Sequence, residues 1–75
     1  MAKDRYTKEI EAFGTKVKSI RKSKELTQLD VALEMGIERS EISKIENGKL
    51  NVEFRTIVKL AVALKSELSE FFSPK

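Results

Sequence analysis

Five side chains at helical spacing, Arg39, Ser40, Ser43, Lys44 and Asn47, carry hydrogen-bonding or charged ends and no bulky apolar group. On one face of a helix, with Glu41 to one side, they make a polar outer surface rich in donors. An arginine fork can grip the two major-groove acceptors of guanine, and serine, asparagine and lysine can meet base edges or phosphates. That is what a helix inserted in a DNA major groove requires. An ordinary helical hairpin with a solvated outer face has the same spacing, so the pattern alone leaves both readings open. Other chemistries are poorly served. Cysteine and histidine are both absent, which removes the usual zinc, haem and iron–sulfur ligands together with the commonest acid–base and thiol catalysts. No nucleophile–base pair, glycine-rich phosphate loop or metal-ligand cluster is visible. The chain is therefore expected to be no enzyme and to need no cofactor or metal.

The elements that must position this face can be read from apolar spacing and punctuation. Tyr6, Ile10, Phe13, Val17 and Ile20 recur every three or four residues, one stripe of an amphipathic helix that Asp4 or Thr7 could cap. The stripe ends near Lys24. Thr27 and Asp30 stand three apart as a capping box, opening a second helix from Gln28 to about Met35. Gly36 ends it, because glycine adopts the left-handed conformation at little cost. A third helix begins near Arg39 with Ile42 and Ile45 on its inner face, and Gly48 stops it. Residues 49–52 are a loop. A fourth helix starts near Glu53 or Phe54 with Ile57, Leu60, Ala61 and Leu64 inward. Ser66 opens a last short helix holding Leu68, Phe71 and Phe72, and Pro74 forbids much continuation. Ala32, four residues before Gly36, is small enough for the second and third helices to approach closely, and Val31, Met35 and Ile37 supply apolar contacts around the turn. The expectation is an all-α domain of five short helices, residues 9–75, preceded by an N-terminal arm at 1–8.

At 75 residues and 8.5 kDa the chain has room for one domain with a small core. With 40% hydrophobic and 36% charged residues it is too apolar for disorder and too charged for a membrane span. No signal peptide is visible, so the expected compartment is the cytoplasm, with no membrane partner and no small-molecule pocket. The net charge of +3 is unevenly spread: residues 1–25 hold eight basic and four acidic groups, and residues 26–50 hold three and five. A basic first third can attract phosphate, or it can be a solvated helix face.

The segments IRKSKELTQLDVALEMGI, ISKIENGK and TIVKLAVALKSELSEFF, each at a fixed spacing from the next, resemble the helix-turn-helix family of lambdoid repressors and Cro proteins, the XRE family. The resemblance runs from about Phe13 to Phe72. It implies a compact five-helix repressor-like domain that binds operator DNA, usually as a dimer, to regulate transcription. IERSEISKIE with its terminal Phe-Phe is also similar to the small controller proteins of restriction–modification systems. Plasmid and prophage regulators and antitoxins share much of that sub-pattern.

The family's site residues carry over one at a time. Gln28 matches a phosphate contact at the start of the second helix, where the helix terminus favours anions. Arg39, Ser40 and Lys44 match base-reading positions on the third helix. Ser43 and Asn47 fit phosphate better than bases, and Lys49 lies in the loop that the family places beside the backbone. Arg21 and Glu46 match a partly buried ion pair between the first and third helices. The chain departs from the pattern at Glu38, an acid at the third helix's N-cap where Ser or Thr is usual. It departs again at Glu41, a second acid on that helix, and at Lys65, where many members have the glycine that ends the fourth helix.

The expected partner is double-stranded DNA, met by a homodimer. Val58 and Val62 form a second apolar row on the fourth helix, and Phe71 and Phe72 close the chain. A domain this small cannot hide all of them, so these four are expected at the dimer interface. A protein-interaction module such as an antitoxin or adaptor, using the same helices, is the competing expectation.

Overall fold

The computed structural model describes residues 4–73. Four α-helices appear in order: α1 (Arg5–Ser23), α2 (Gln28–Met35), α3 (Arg39–Glu46) and α4 (Phe54–Leu64). The fifth expected helix is a single 3-10 turn, Leu68–Phe71. The described residues contain no strand. Pro74 and the first three residues of the expected arm lie outside the described residues. The rest of that arm is corrected: Asp4 caps α1, its Oδ1 accepting from the Thr7 N–H at 2.8 Å, and residues 5–8 are already helical. Tyr6 in this added turn, expected on the inner stripe, is 80% exposed.

Val17 and Ile20 from α1, Val31 and Ala32 from α2, Ile42 and Ile45 from α3, Leu60, Ala61 and Leu64 from α4, and Phe71 form one buried cluster. The inward residues of all four helices follow the expected spacing. Phe71 is 3% exposed, which corrects its place at a dimer interface. Its ring meets Phe13 edge-on at 5.4 Å, an arrangement aromatic rings favour. Phe72 stays outside at 62% exposure, stacked on Phe13 at 5.9 Å.

The caps explain the helix ends. Thr27 and Asp30 close both halves of their box, at 2.8 and 3.0 Å. Gly36 sits at φ 72°, while the Ile37 N–H donates to the Ala32 carbonyl at 3.0 Å and the Gly36 N–H to the Leu33 carbonyl at 3.3 Å. This is the paired-bond helix ending that needs a left-handed residue. Lys65 takes the same conformation at the end of α4, φ 54°, without being a glycine.

Gly14, in the middle of α1, holds the domain together in a way that apolar spacing does not reveal. A Cβ built there would lie 2.3 Å from the Ile45 carbonyl oxygen and 2.8 Å from that of Glu46. The backbone of α1 thus rests directly against the C-terminal end of α3.

Candidate nucleic-acid interface

Two turns of helix in α3 serve two environments. Ile42, Ile45 and Glu46 are buried; Arg39, Ser40, Lys44 and Asn47 are exposed, with Ser43 and Glu41 half-buried. The residues singled out from the sequence therefore do share one accessible face. At its N-terminal end Glu38 makes no side-chain cap, and it closes the helix through its backbone carbonyl, which accepts from the Glu41 N–H at 3.0 Å. One turn on, Asn47 Nδ2 donates to Ser43 Oγ at 3.3 Å, pairing two of the expected phosphate ligands. Lys49 is exposed in the following loop, its N–H bonded to the Lys44 carbonyl at 2.9 Å.

Arg21 and Glu46 form the expected pair. Nε meets Oε2 at 2.6 Å and Nη2 meets Oε1 at 3.0 Å, with the two residues 8% and 5% exposed. Arg21 Nη1 also donates to the Leu26 carbonyl at 2.7 Å. The pair is bidentate and desolvated, the arrangement in which both charges stay satisfied. It clamps α1 to α3.

Gln28, at the start of α2, occupies the junction of this pair and the outer face. Its Nε2 donates to Glu46 Oε1 at 3.0 Å, and its Oε1 accepts from Arg39 Nη1 at 3.0 Å. Spacing along the chain gives no sign of either bond, since residues 28 and 46 are eighteen apart and on different helices.

Away from α3, Val58 and Val62 are exposed as expected, and Phe54 extends them into a row at intervals of four along α4. Leu29 and Leu33 make a second exposed apolar pair on α2. The i, i+4 repeat of Phe54, Val58 and Val62 is present in the sequence and identifies the longer row. Among the described residues no group of acidic side chains is placed to hold a metal ion, and no helix is long and apolar enough to cross a membrane.

The helix-turn-helix family model HTH_3 matches residues 17–71, which takes in the end of α1, the α2–turn–α3 unit, α4 and the closing 3-10 turn. The chain belongs to that family. Control protein C.MunI of a Mycoplasma species is 42% identical over 62 residues, covering 81% of this chain and 84% of the relative. The crystal structure of the restriction–modification controller protein C.AhdI from Aeromonas hydrophila superposes with a TM-score of 0.81 at 36% identity, covering 84% of this chain and 96% of that one. One chain of the controller protein C.Esp1396I, whose tetramer was solved in complex with its natural 35 base-pair operator, superposes with a TM-score of 0.79 at 26% identity, covering 85% of this chain and 84% of that one. The chain thus spans most of the length of each of these relatives and shares the fold of the two solved ones.

Proposed function

We propose that this helix-turn-helix protein is a sequence-specific DNA-binding transcriptional regulator of the restriction–modification controller type, acting as a dimer on a palindromic operator in the cytoplasm and catalysing no reaction. The observation that carries the reading is the exposed Arg39 at the leading end of α3, on the accessible face it shares with Ser40, Lys44 and Asn47. A helix entering the major groove leads with that end, and arginine is the side chain best matched to guanine there. Arg39, Ser40 and Lys44 read bases; Gln28, Ser43, Asn47 and Lys49 meet phosphates. The similarity to C.Esp1396I, solved on its operator, supports the same reading. Dimer formation uses the Phe54, Val58 and Val62 row, with Phe72 as a further exposed aromatic. A two-fold dimer sets its two recognition helices ~34 Å apart, one turn of DNA.

The test is binding of wild type, Arg39→Ala and Lys49→Ala to a randomised half-site library at two salt concentrations. Arg39→Ala should cost ~1–3 kcal/mol per half-site and relax the preference for one G·C pair. Lys49→Ala should weaken all sequences alike and reduce the salt slope by ~1. Failure of the wild type to bind any duplex in a salt-dependent manner would instead favour a protein-interaction module, for which the exposed Leu29 and Leu33 on α2 offer an apolar surface.

A further inference from the structure

The first third of the chain carries eight basic groups against four acidic ones. Arg39, Lys44 and Lys49, the cations of the proposed DNA face, all lie outside it. The structure nevertheless brings part of α1 beside that face. Gly14 rests on the Ile45 and Glu46 carbonyls, so α1 runs directly along the C-terminal end of α3. Next to this contact Glu11, Thr15 and Lys18, at intervals of four and three along α1, meet Glu46 and the C-cap residue Asn47 across an open cleft of about 370 Å³. Asn47 thus borders both the outer face of α3 and the cleft.

The charges around this cleft are unevenly satisfied. The last turn of a helix exposes carbonyls and carries a partial negative charge. A phosphate passing Asn47 therefore meets an unfavourable field unless a cation offsets it. Two carboxylates also line the cleft, and neither is free. Glu46 is held by two bonds from Arg21. Glu11 is half-buried against Gly48 and is engaged within the domain. Lys18, by contrast, is exposed and takes part in no hydrogen bond or ion pair among the described residues. Thr15 is exposed beside it and keeps a hydroxyl donor. One N–H of the Asn47 amide goes to Ser43 Oγ, which leaves the other available. An ammonium, a hydroxyl and an amide N–H are the donor types that meet phosphodiester oxygens.

Resting on the DNA-binding reading, we infer that the α1–α3 cleft is a further phosphate site, in which Lys18 and Thr15 join Asn47 on the DNA strand that passes the end of α3. The footprint then extends past the α2–turn–α3 unit onto α1. Gly14 sets the width of the cleft, and so sets where this phosphate lies relative to the bases met by α3.

The experiment measures binding of the full-length wild type, Lys18→Ala and Lys16→Ala to one randomised half-site library over a range of salt concentrations, with a melting curve for each. Lys16 is on another side of α1, in a notch with Phe13, Phe71 and Phe72, so its removal takes the same charge from the same helix without touching the cleft. Alanine is the best helix former, so Lys18→Ala should fold as the wild type does. One phosphate contact fewer releases about one counterion fewer. The ratio of wild-type to Lys18→Ala affinity should therefore shrink by about three- to fourfold per half-site over a fourfold rise in salt. The base preferences should stay as they are, and Lys16→Ala should keep the wild-type slope. A wild-type slope for Lys18→Ala overturns the inference. An equal fall in slope for Lys16→Ala does so too, because net charge would then be the cause. A lower melting temperature for Lys18→Ala with its slope intact also overturns it, leaving Lys18 as a counter-charge to the end of α3. If the wild type binds no duplex in a salt-dependent manner, the DNA-binding reading beneath the inference is what fails.

Discussion

Replacing Gly14 by alanine sets two effects of opposite sign against each other. Alanine is the better helix former by ~1 kcal/mol in a helix interior, and Gly14 sits mid-way along α1. On helix propensity alone the variant would be more stable. The added methyl, however, would lie 2.3 Å from the Ile45 carbonyl oxygen and 2.8 Å from that of Glu46. An unstrained carbon–oxygen contact needs ~3.3–3.6 Å, so α1 and α3 must part by about 1 Å. Overpacking of this kind costs ~1–3 kcal/mol where side chains can adjust. Here the obstacles are backbone carbonyls that are already part of α3, so the upper end applies or is exceeded. The net is a loss of about 2 kcal/mol, a large share of the ~4–11 kcal/mol expected for 75 residues. For a domain of this size that lowers the melting temperature by ~8–16 °C. Thermal and urea denaturation of the wild type and Gly14→Ala, with Gly14→Ser as a second variant, measure it. A melting temperature equal to or above the wild type's would show that the two helices are not held by backbone contact and would refute the reasoning.

Glu46→Ala should cost ~3–5 kcal/mol, because it strands the Arg21 guanidinium in a desolvated site; a melting curve showing no change would move Arg21 out of its structural role. Val62→Asp puts a charge at the 70%-exposed C-terminal end of the α4 row and should yield a folded monomer, read by sedimentation; a persistent dimer would locate the contact elsewhere. Hydrogen bonding holds two carboxyls below their ordinary range, Asp4 chiefly by the Thr7 N–H and Asp30 chiefly by the Thr27 N–H. A depressed carboxyl contributes stability above its unfolded value and loses it as pH falls through the folded one. The caps of α1 and α2 should therefore weaken only below about pH 4, and Asp30→Asn should flatten that acid limb of a stability–pH curve.

The second and third helices are legible in the sequence because local residues decide their ends. Thr27 with Asp30, Gly36 and Gly48 act within a few residues of themselves, and the structure puts α2 and α3 where those signals stand. The stripes of α1 and α4 are legible for the same reason, up to the point where tertiary surroundings matter. Tyr6 keeps the period but stays exposed. Phe71 and Phe72 are identical neighbours that both meet Phe13, and only the packing of the closing turn on the domain decides which one goes inward. For the candidate interface, the exposed row of α3 follows from helical periodicity alone. Gly14 against Ile45 and Gln28 against Glu46 do not, since each joins residues on different helices whose approach is a property of the packed domain.

The brevity of α3 bears on how much information one protomer can extract. Eight residues at 1.5 Å per residue make a rod ~12 Å long, which lies along about three or four base pairs at 3.4 Å each. Two such rods in a dimer address roughly seven base pairs by direct contact. A word of seven letters in a four-letter alphabet recurs by chance about once in 10⁴ base pairs, while a genome presents ~10⁶ or more alternatives. The proposed regulator therefore cannot single out its address from base edges alone. The missing discrimination, at least a hundredfold, has to come from the bendability of the intervening DNA or from several such words placed side by side.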